Sequence, residues 1–203
     1  YDILLCADEV ICGYGRTGEW FGAQYFGFTP DIMTTAKGLT SGYIPMGAVL
    51  FNDRIAHVLR DKGGELAHGY TYSGHPVCAV VALENIRILQ DEKIVETCKN
   101  ETGPYLAERI KMLGEHLLVG ETRGAGMLGA LELVPNKAER KFFAERGNVG
   151  SLCRNIALKN GLILRATYDS MLISPPLIIN RSEIDELFEK AWKSLNETAQ
   201  ALA

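Results

Sequence analysis

The chain has 203 residues, 47% of them hydrophobic and 23% charged, with a formal net charge of −4. That is enough apolar material for a sizeable core, and the well-mixed charges form no basic run of the kind that binds nucleic acid. No apolar segment approaches the length of a membrane span, and none resembles a signal peptide.

In chain order, the first apolar run is Ile3-Leu4-Leu5-Cys6-Ala7, which breaks at two acids, Asp8 and Glu9. A short apolar run bounded by charge and glycine predicts a buried strand opening into a loop. A second run, Ile32-Met33-Thr34-Thr35-Ala36, ends at Lys37-Gly38. Two buried strands thus deliver a carboxylate and an amine to loop ends, where α/β folds keep their chemistry. The competing reading is a surface acid and a surface lysine, since both types are mostly exposed.

Between these runs, Gly13-Tyr14-Gly15-Arg16-Thr17-Gly18 fits G-x-G-x-x-G, as does Gly124-Ala125-Gly126-Met127-Leu128-Gly129. Neither has the context of a dinucleotide site. The first is parted from its strand by Asp8 and Glu9, where a pyrophosphate needs donors. The second leads into Ala130-Leu131-Glu132-Leu133-Val134, a strand where the fingerprint requires a helix.

After Lys37 come a glycine-bounded turn to Pro45, a strand over Gly47–Phe51, and a short helical stretch with Ile55, Val58 and Leu59 that ends at Gly63-Gly64. His68-Gly69-Tyr70-Thr71-Tyr72-Ser73-Gly74-His75 is a hydroxyl-rich loop capping the next helix. Pro76 opens that helix, with Val77, Val80, Val81, Leu83, Ile86, Leu89 and Ile94 on one broad face. A second helix carries Leu106, Ile110, Leu113 and Leu117, and Val119 to Val134 reads as strand–turn–strand. Phe142-Phe143, Leu152, Ile156 and Leu158 mark helical pieces ended by Asn160-Gly161. Leu162–Leu164 and Met171–Ile173 predict a strand pair, with Arg165 where the first strand opens into a loop. The last helix starts at a capping box, Ser182 to Asp185, and continues with Ile184, Leu187, Phe188, Ala191, Trp192 and Leu195 as a core stripe.

Five cysteines (Cys6, Cys12, Cys78, Cys98 and Cys153) are an odd number without CxxC spacing, mostly within apolar segments. That favours reduced, buried thiols in a cytoplasmic protein. The four histidines form no HExxH or HxH pair, so no metal site is expected.

The stretches CADEVICGYGRTG and PDIMTTAKGL closely resemble the cofactor-site signature of class III (omega) aminotransferases, which use pyridoxal 5'-phosphate. The resemblance implies that Asp8 pairs with the pyridine nitrogen, Val10 packs on the ring face and Lys37 forms the internal Schiff base. A carboxylate there keeps the ring protonated as an electron sink, and the freed lysine can move the substrate proton. HGYTYSGHP resembles the stretch whose threonine reaches the cofactor phosphate of the neighbouring subunit, which gives Thr71 that role and implies a homodimer or a dimer of dimers. LILRATYDSMLISPPL resembles the segment whose arginine binds the substrate carboxylate, which favours Arg165 over Arg123 as the anion binder.

The implied fold is α/β, part of a fold-type-I pyridoxal-phosphate enzyme. Residues 1–90 would form the C-terminal part of the large domain and 91–203 the small α/β domain. The family's subunit is roughly twice this long, and with Tyr1 opening the chain a fragment is expected, its phosphate loop lying upstream. The implied reaction is ping-pong transamination between an amine or omega-amino acid and a keto acid such as pyruvate. An aminomutase on the same scaffold, or a half-chain acting as an interaction or dimerisation module, is the alternative.

Overall fold

Cys6–Asp8 forms strand β1 in the computed structural model, which describes residues 1–139 and 141–202. The predicted strand Ile3–Ala7 is thus shorter and ends one residue later, on the acid itself. Ile3, Leu4 and Leu5 lead in exposed, and Leu5 is tied instead to Asp31, whose carboxylate accepts from the Leu5 N–H at 2.9 Å. β2 (Ile32–Thr35) pairs parallel with β1, and β3 (Ala48–Phe51) pairs antiparallel with β2, giving the order β1-β2-β3. Helix α1 (Gly22–Phe26) lies between the first two strands, and α2 (Asp53–Asp61) follows β3 with the Asn52 side chain accepting from the Ile55 N–H.

Helix α3 (Pro76–Asp91) starts where Pro76 predicts, because proline's missing N–H costs nothing in the first turn. Its predicted apolar face is divided. Ala82 and Leu89 are buried, whereas Val77, Val80 and Leu83 are exposed. Ile94 belongs to a separate short helix, α4 (Ile94–Thr97), where this first compact unit, Tyr1–Thr97, ends.

The second unit, Cys98–Ala203, is built on a four-stranded antiparallel sheet of order β4-β5-β7-β6. Its strands are β4 (Val119–Ala125), β5 (Leu128–Leu133), β6 (Arg165–Thr167) and β7 (Ser170–Ile173). Helices α5 (Gly103–Leu113) and α6 (Asn148–Lys159) pack against the strands, and α7 (Arg181–Leu202) packs on both helices. Period-2 alternation sends Leu131, Leu133, Met171 and Ile173 inwards, where they meet Leu106, Ile110, Leu113, Ile184 and Leu195 in the core. The second glycine pattern is the β4–β5 turn, as the strand after it requires.

Three predicted boundaries move. Arg165 does not end a strand; it begins β6, paired with Leu172, while Leu162–Leu164 lies outside the ladder. Phe142-Phe143 precedes α6 without helix. The capping box of α7 sits two residues early. Asn180 Oδ1 accepts from the Glu183 N–H at 3.1 Å and Glu183 Oε2 accepts from the Asn180 N–H at 2.9 Å. Asp185 is drawn away by α5, accepting from Tyr105 Oη at 2.7 Å and pairing with Arg109 at 2.5 Å.

The five cysteines are free, but only Cys98 and Cys153 are buried; Cys6 is exposed. Among the described residues, no helix is long and apolar enough to cross a membrane.

Candidate active site

β1 and β2 run parallel, with Asp8 opposite Thr34, so Asp8 and Lys37 both leave the carboxyl-terminal ends of neighbouring strands. Ladders put adjacent strands about 4.8 Å apart, which brings the two loop starts together. Asp8 is exposed and oriented. Its Oδ1 accepts from the Val10 N–H at 3.1 Å and from the Thr34 hydroxyl at 3.3 Å, and no described residue occupies Oδ2. Val10, half-buried, follows on the same turn.

Glu9 has the opposite fate and was not singled out by sequence reasoning. It is 3% exposed, and its two oxygens accept from the Gly22 N–H at 2.7 Å and the Ala23 N–H at 2.6 Å. It thereby satisfies the first donors of α1. Strand alternation was the available signal: Glu9 shares a side with buried Ala7, and Asp8 faces the other way. With Glu9 filling that helix end, the first glycine pattern has no free N-terminus for a pyrophosphate.

Lys37 is exposed, its amine is paired with no described residue, and its φ is 39°, in the left-handed region that lysine rarely adopts. It opens a 3₁₀ turn, Lys37–Leu39. At Gly38 a Cβ would lie 3.0 Å from Tyr14 Cβ and 3.3 Å from the Gly13 carbonyl, so the turn packs tightly against the first glycine-rich loop. Tyr14 is buried there, edge-on to Phe21, with its hydroxyl 3.3 Å from Thr35 Oγ1. From the other side Asn85 of α3 bonds the carbonyls of Gly38 and Leu39. Asn85 was also missed, although it falls on the stripe of Ala82 and Leu89, the two buried positions of α3. Cys12 is no rival nucleophile, because burial, followed by the charges of Glu9 and Asp8, pushes its thiol pKa up.

Thr71 lies in an exposed turn, with Tyr70 and Tyr72 on either side and the Ser73 hydroxyl accepting from the Tyr70 N–H at 2.9 Å. No hydrogen bond joins it to Asp8 or Lys37 among the described residues.

In the second unit, Arg123, Ala130, Leu172 and Arg165 form one cross-strand row on the sheet face away from the helices. The two candidate arginines therefore share a face, at opposite edges. Arg123 is committed: it bonds Glu132 at 2.9 Å and approaches Glu121 at 3.4 Å, and its pKa is raised, first by the Glu132 bond. Arg165 is exposed and pairs with no described carboxylate.

The first unit carries groups of the kind that the ring of a pyridoxal group would need. A carboxylate is held by one oxygen with the other available, and a lysine amine stands at the end of the adjoining strand, with a branched side chain between them in sequence. Among the described residues, no other lysine amine and oriented carboxylate stand at neighbouring strand ends of this sheet.

The profile described as aminotransferase class-III matches residues 1–195. A putrescine–pyruvate aminotransferase of Pseudomonas aeruginosa is 62% identical over 202 residues, covering 100% of this chain and 44% of that protein. A thermostable omega transaminase engineered for asymmetric synthesis of bulky amines superposes with a TM-score of 0.96 at 40% identity, over 100% of this chain and 46% of its own. The omega transaminase of Pseudomonas jessenii, solved in complex with PMP, gives 0.94 at 41% identity, over 98% and 45%. The chain spans less than half the length of these relatives. With the profile match running nearly end to end and the superposition this close, the chain belongs to the class-III aminotransferases.

Proposed function

We propose that the protein containing this chain is a pyridoxal-phosphate-dependent aminotransferase that moves an amino group from an amine or omega-amino acid to a keto acid, with pyruvate as the acceptor. The observation that carries the reading is the placement of Asp8 and Lys37 at the carboxyl ends of adjacent parallel strands, Asp8 tied through one oxygen.

Bound there, pyridoxal phosphate supplies an electrophilic carbonyl carbon and an electron-withdrawing ring. The remaining work falls to this chain's residues. Asp8 holds the proton of the ring nitrogen, Val10 packs on the ring face, and Lys37 anchors the group. The Lys37 amine, when free, would take a proton from the donor's amine-bearing carbon and, in the second half-reaction, give one to the acceptor carbon. Thr71 donates its hydroxyl to the phosphate held by the neighbouring subunit, in a homodimer or larger assembly. Its exposed turn and lack of a bond to Asp8 or Lys37 suit that role.

Arg165 reads the carboxylate of the keto acid or amino-acid donor. Its freedom supports this, since Arg123 already serves Glu132 and Glu121. A planar guanidinium suits a carboxylate, and the Pseudomonas aeruginosa relative is named for pyruvate. We assign the first unit to the large cofactor-binding domain and the second to the small domain, and the free cysteines fit a cytoplasmic protein. Incubation with pyridoxal phosphate, borohydride reduction and peptide mapping tests the assignment. The label should fall on Lys37, and a label on any other lysine removes it.

A further inference from the structure

We propose that Asn85 is a positioning residue for Lys37, clamping the turn that carries the lysine and holding its backbone in the left-handed conformation. The inference rests on the reading of Lys37 given above.

The turn Lys37–Leu39 leaves four carbonyls to satisfy, counting Ala36. Its own backbone takes two: the Leu39 N–H donates to Ala36 O at 2.9 Å and the Thr40 N–H to Lys37 O at 3.2 Å. The other two point at α3, where Asn85 Nδ2 donates to Gly38 O at 2.8 Å and to Leu39 O at 3.1 Å. The remaining atom of the amide, Oδ1, accepts from the Ser41 hydroxyl at 2.7 Å. Two carbonyls on one side and a hydroxyl on the other leave a single sensible orientation for the amide. Asn85 thus spends both donors and its acceptor on residues just after Lys37, from a half-buried position on the stripe of Ala82 and Leu89.

A lysine at φ 39° is held against its own preference. Tyr14 blocks the turn on one side at Gly38, and Asn85 draws its carbonyls from the other. Without the amide, the turn is free to relax towards ordinary backbone, which redirects the bond from which the lysine side chain departs. Misplacement of a reacting group by about 1 Å can cost a hundredfold in rate. The same helix starts at Pro76, directly after the Thr71 loop, so Asn85 also joins the lysine turn to the element that ends this loop.

The test uses the full-length protein and reads two properties of the lysine. One is the rate of reductive labelling of Lys37 by pyridoxal phosphate and borohydride. The other is the visible circular dichroism of the bound cofactor, which reports its orientation. Asn85→Ala should slow labelling roughly ten- to a hundredfold and alter the dichroic band. Asn85→Asp should be slower still, because it sets a carboxylate against two carbonyl oxygens. Ser41→Ala removes only the hydroxyl that orients the amide; Ser41 is exposed, so this variant folds even where the others do not. It should slow labelling roughly three- to fivefold. Ser41→Ala labelled at the wild-type rate with an unchanged dichroic band overturns the proposal, as does the same result for Asn85→Ala. A wild-type protein labelled at a different lysine overturns the reading of Lys37 and this inference together.

Discussion

Asp8 and Thr34 stand opposite one another in the parallel β1–β2 ladder, and the Thr34 hydroxyl donates to Asp8 Oδ1 at 3.3 Å. Under the proposed function, the bond leaves Oδ2 as the oxygen that would meet the ring nitrogen. Asp8→Asn should slow the half-reaction by about two orders of magnitude or more, since it removes a charge aimed at developing charge. Thr34→Val should cost about 1 kcal/mol, or roughly fivefold. Stopped-flow absorbance of the cofactor measures both, and an Asp8→Asn enzyme of near-normal rate would mean that the residue does not touch the ring.

Glu9 predicts a stability effect of its own. Glu9→Ala strips the Gly22 and Ala23 N–H groups of their acceptors in a buried place. The loss should be roughly 3 kcal/mol. Glu9→Gln should recover less than half of it, because an amide offers one acceptor oxygen where the carboxylate offers two. Urea unfolding measures the difference, and wild-type stability in the alanine variant would contradict the capping role.

His116 gives a pH dependence. It is 3% exposed, its Nδ1 accepts from the Leu118 N–H at 3.1 Å, and its Nε2 faces Asn196 Oδ1 at 3.1 Å, so the ring is held neutral. Burial is the main cause of its lowered pKa; Lys137 lowers it further, and the Asn196 bond partly opposes them. The unfolded chain therefore takes up a proton near pH 6.5 while the folded ring does not. Stability should fall as pH drops below about 6.5, until folded His116 itself protonates. His116→Asn keeps an acceptor for Leu118 and should flatten the urea-midpoint profile between pH 7.5 and 5, whereas an unchanged slope would assign the effect elsewhere.

Under the proposed function, variants of the two arginines of the sheet face should separate substrate reading from stability. Arg165→Ala should raise the KM for pyruvate and for amino-acid donors, lowering kcat/KM by about one to two orders of magnitude, while an amine without a carboxylate reacts nearly as before. Arg123→Ala should leave this selectivity in place and weaken the β4–β5 edge modestly. Separate half-reaction kinetics distinguish them, and equal losses for both donor types in Arg165→Ala would deny it a substrate.

Much of the frame was legible because local chemistry decided it. Apolar runs ending in charge marked β1 and β2, Pro76 marked the start of α3, and the glycines interrupting Val119–Val134 marked the β4–β5 hairpin. What escaped was decided over long separations. Asp185 left the expected capping box because Tyr105 and Arg109, some 80 residues away, claim it. Arg165, by contrast, was misplaced locally: a tight turn at Tyr168-Asp169 joins β6 to β7 and pairs it with the nearby Leu172. Within the site, strand ends pointed to Asp8 and Lys37, but Thr34, which bonds Asp8, and Asn85, which bonds Gly38 and Leu39 just after Lys37, are brought near by no spacing rule.

The backbone at Lys37 has one more consequence. At φ 39° the residues that sit without strain are glycine and, next, asparagine. In a library randomised at position 37 and sorted for heat resistance alone, those two should outgrow lysine, whereas sorting the same library for covalent capture of pyridoxal phosphate should return lysine. Redesign guided by stability alone would therefore favour removing the lysine on which the proposed chemistry depends.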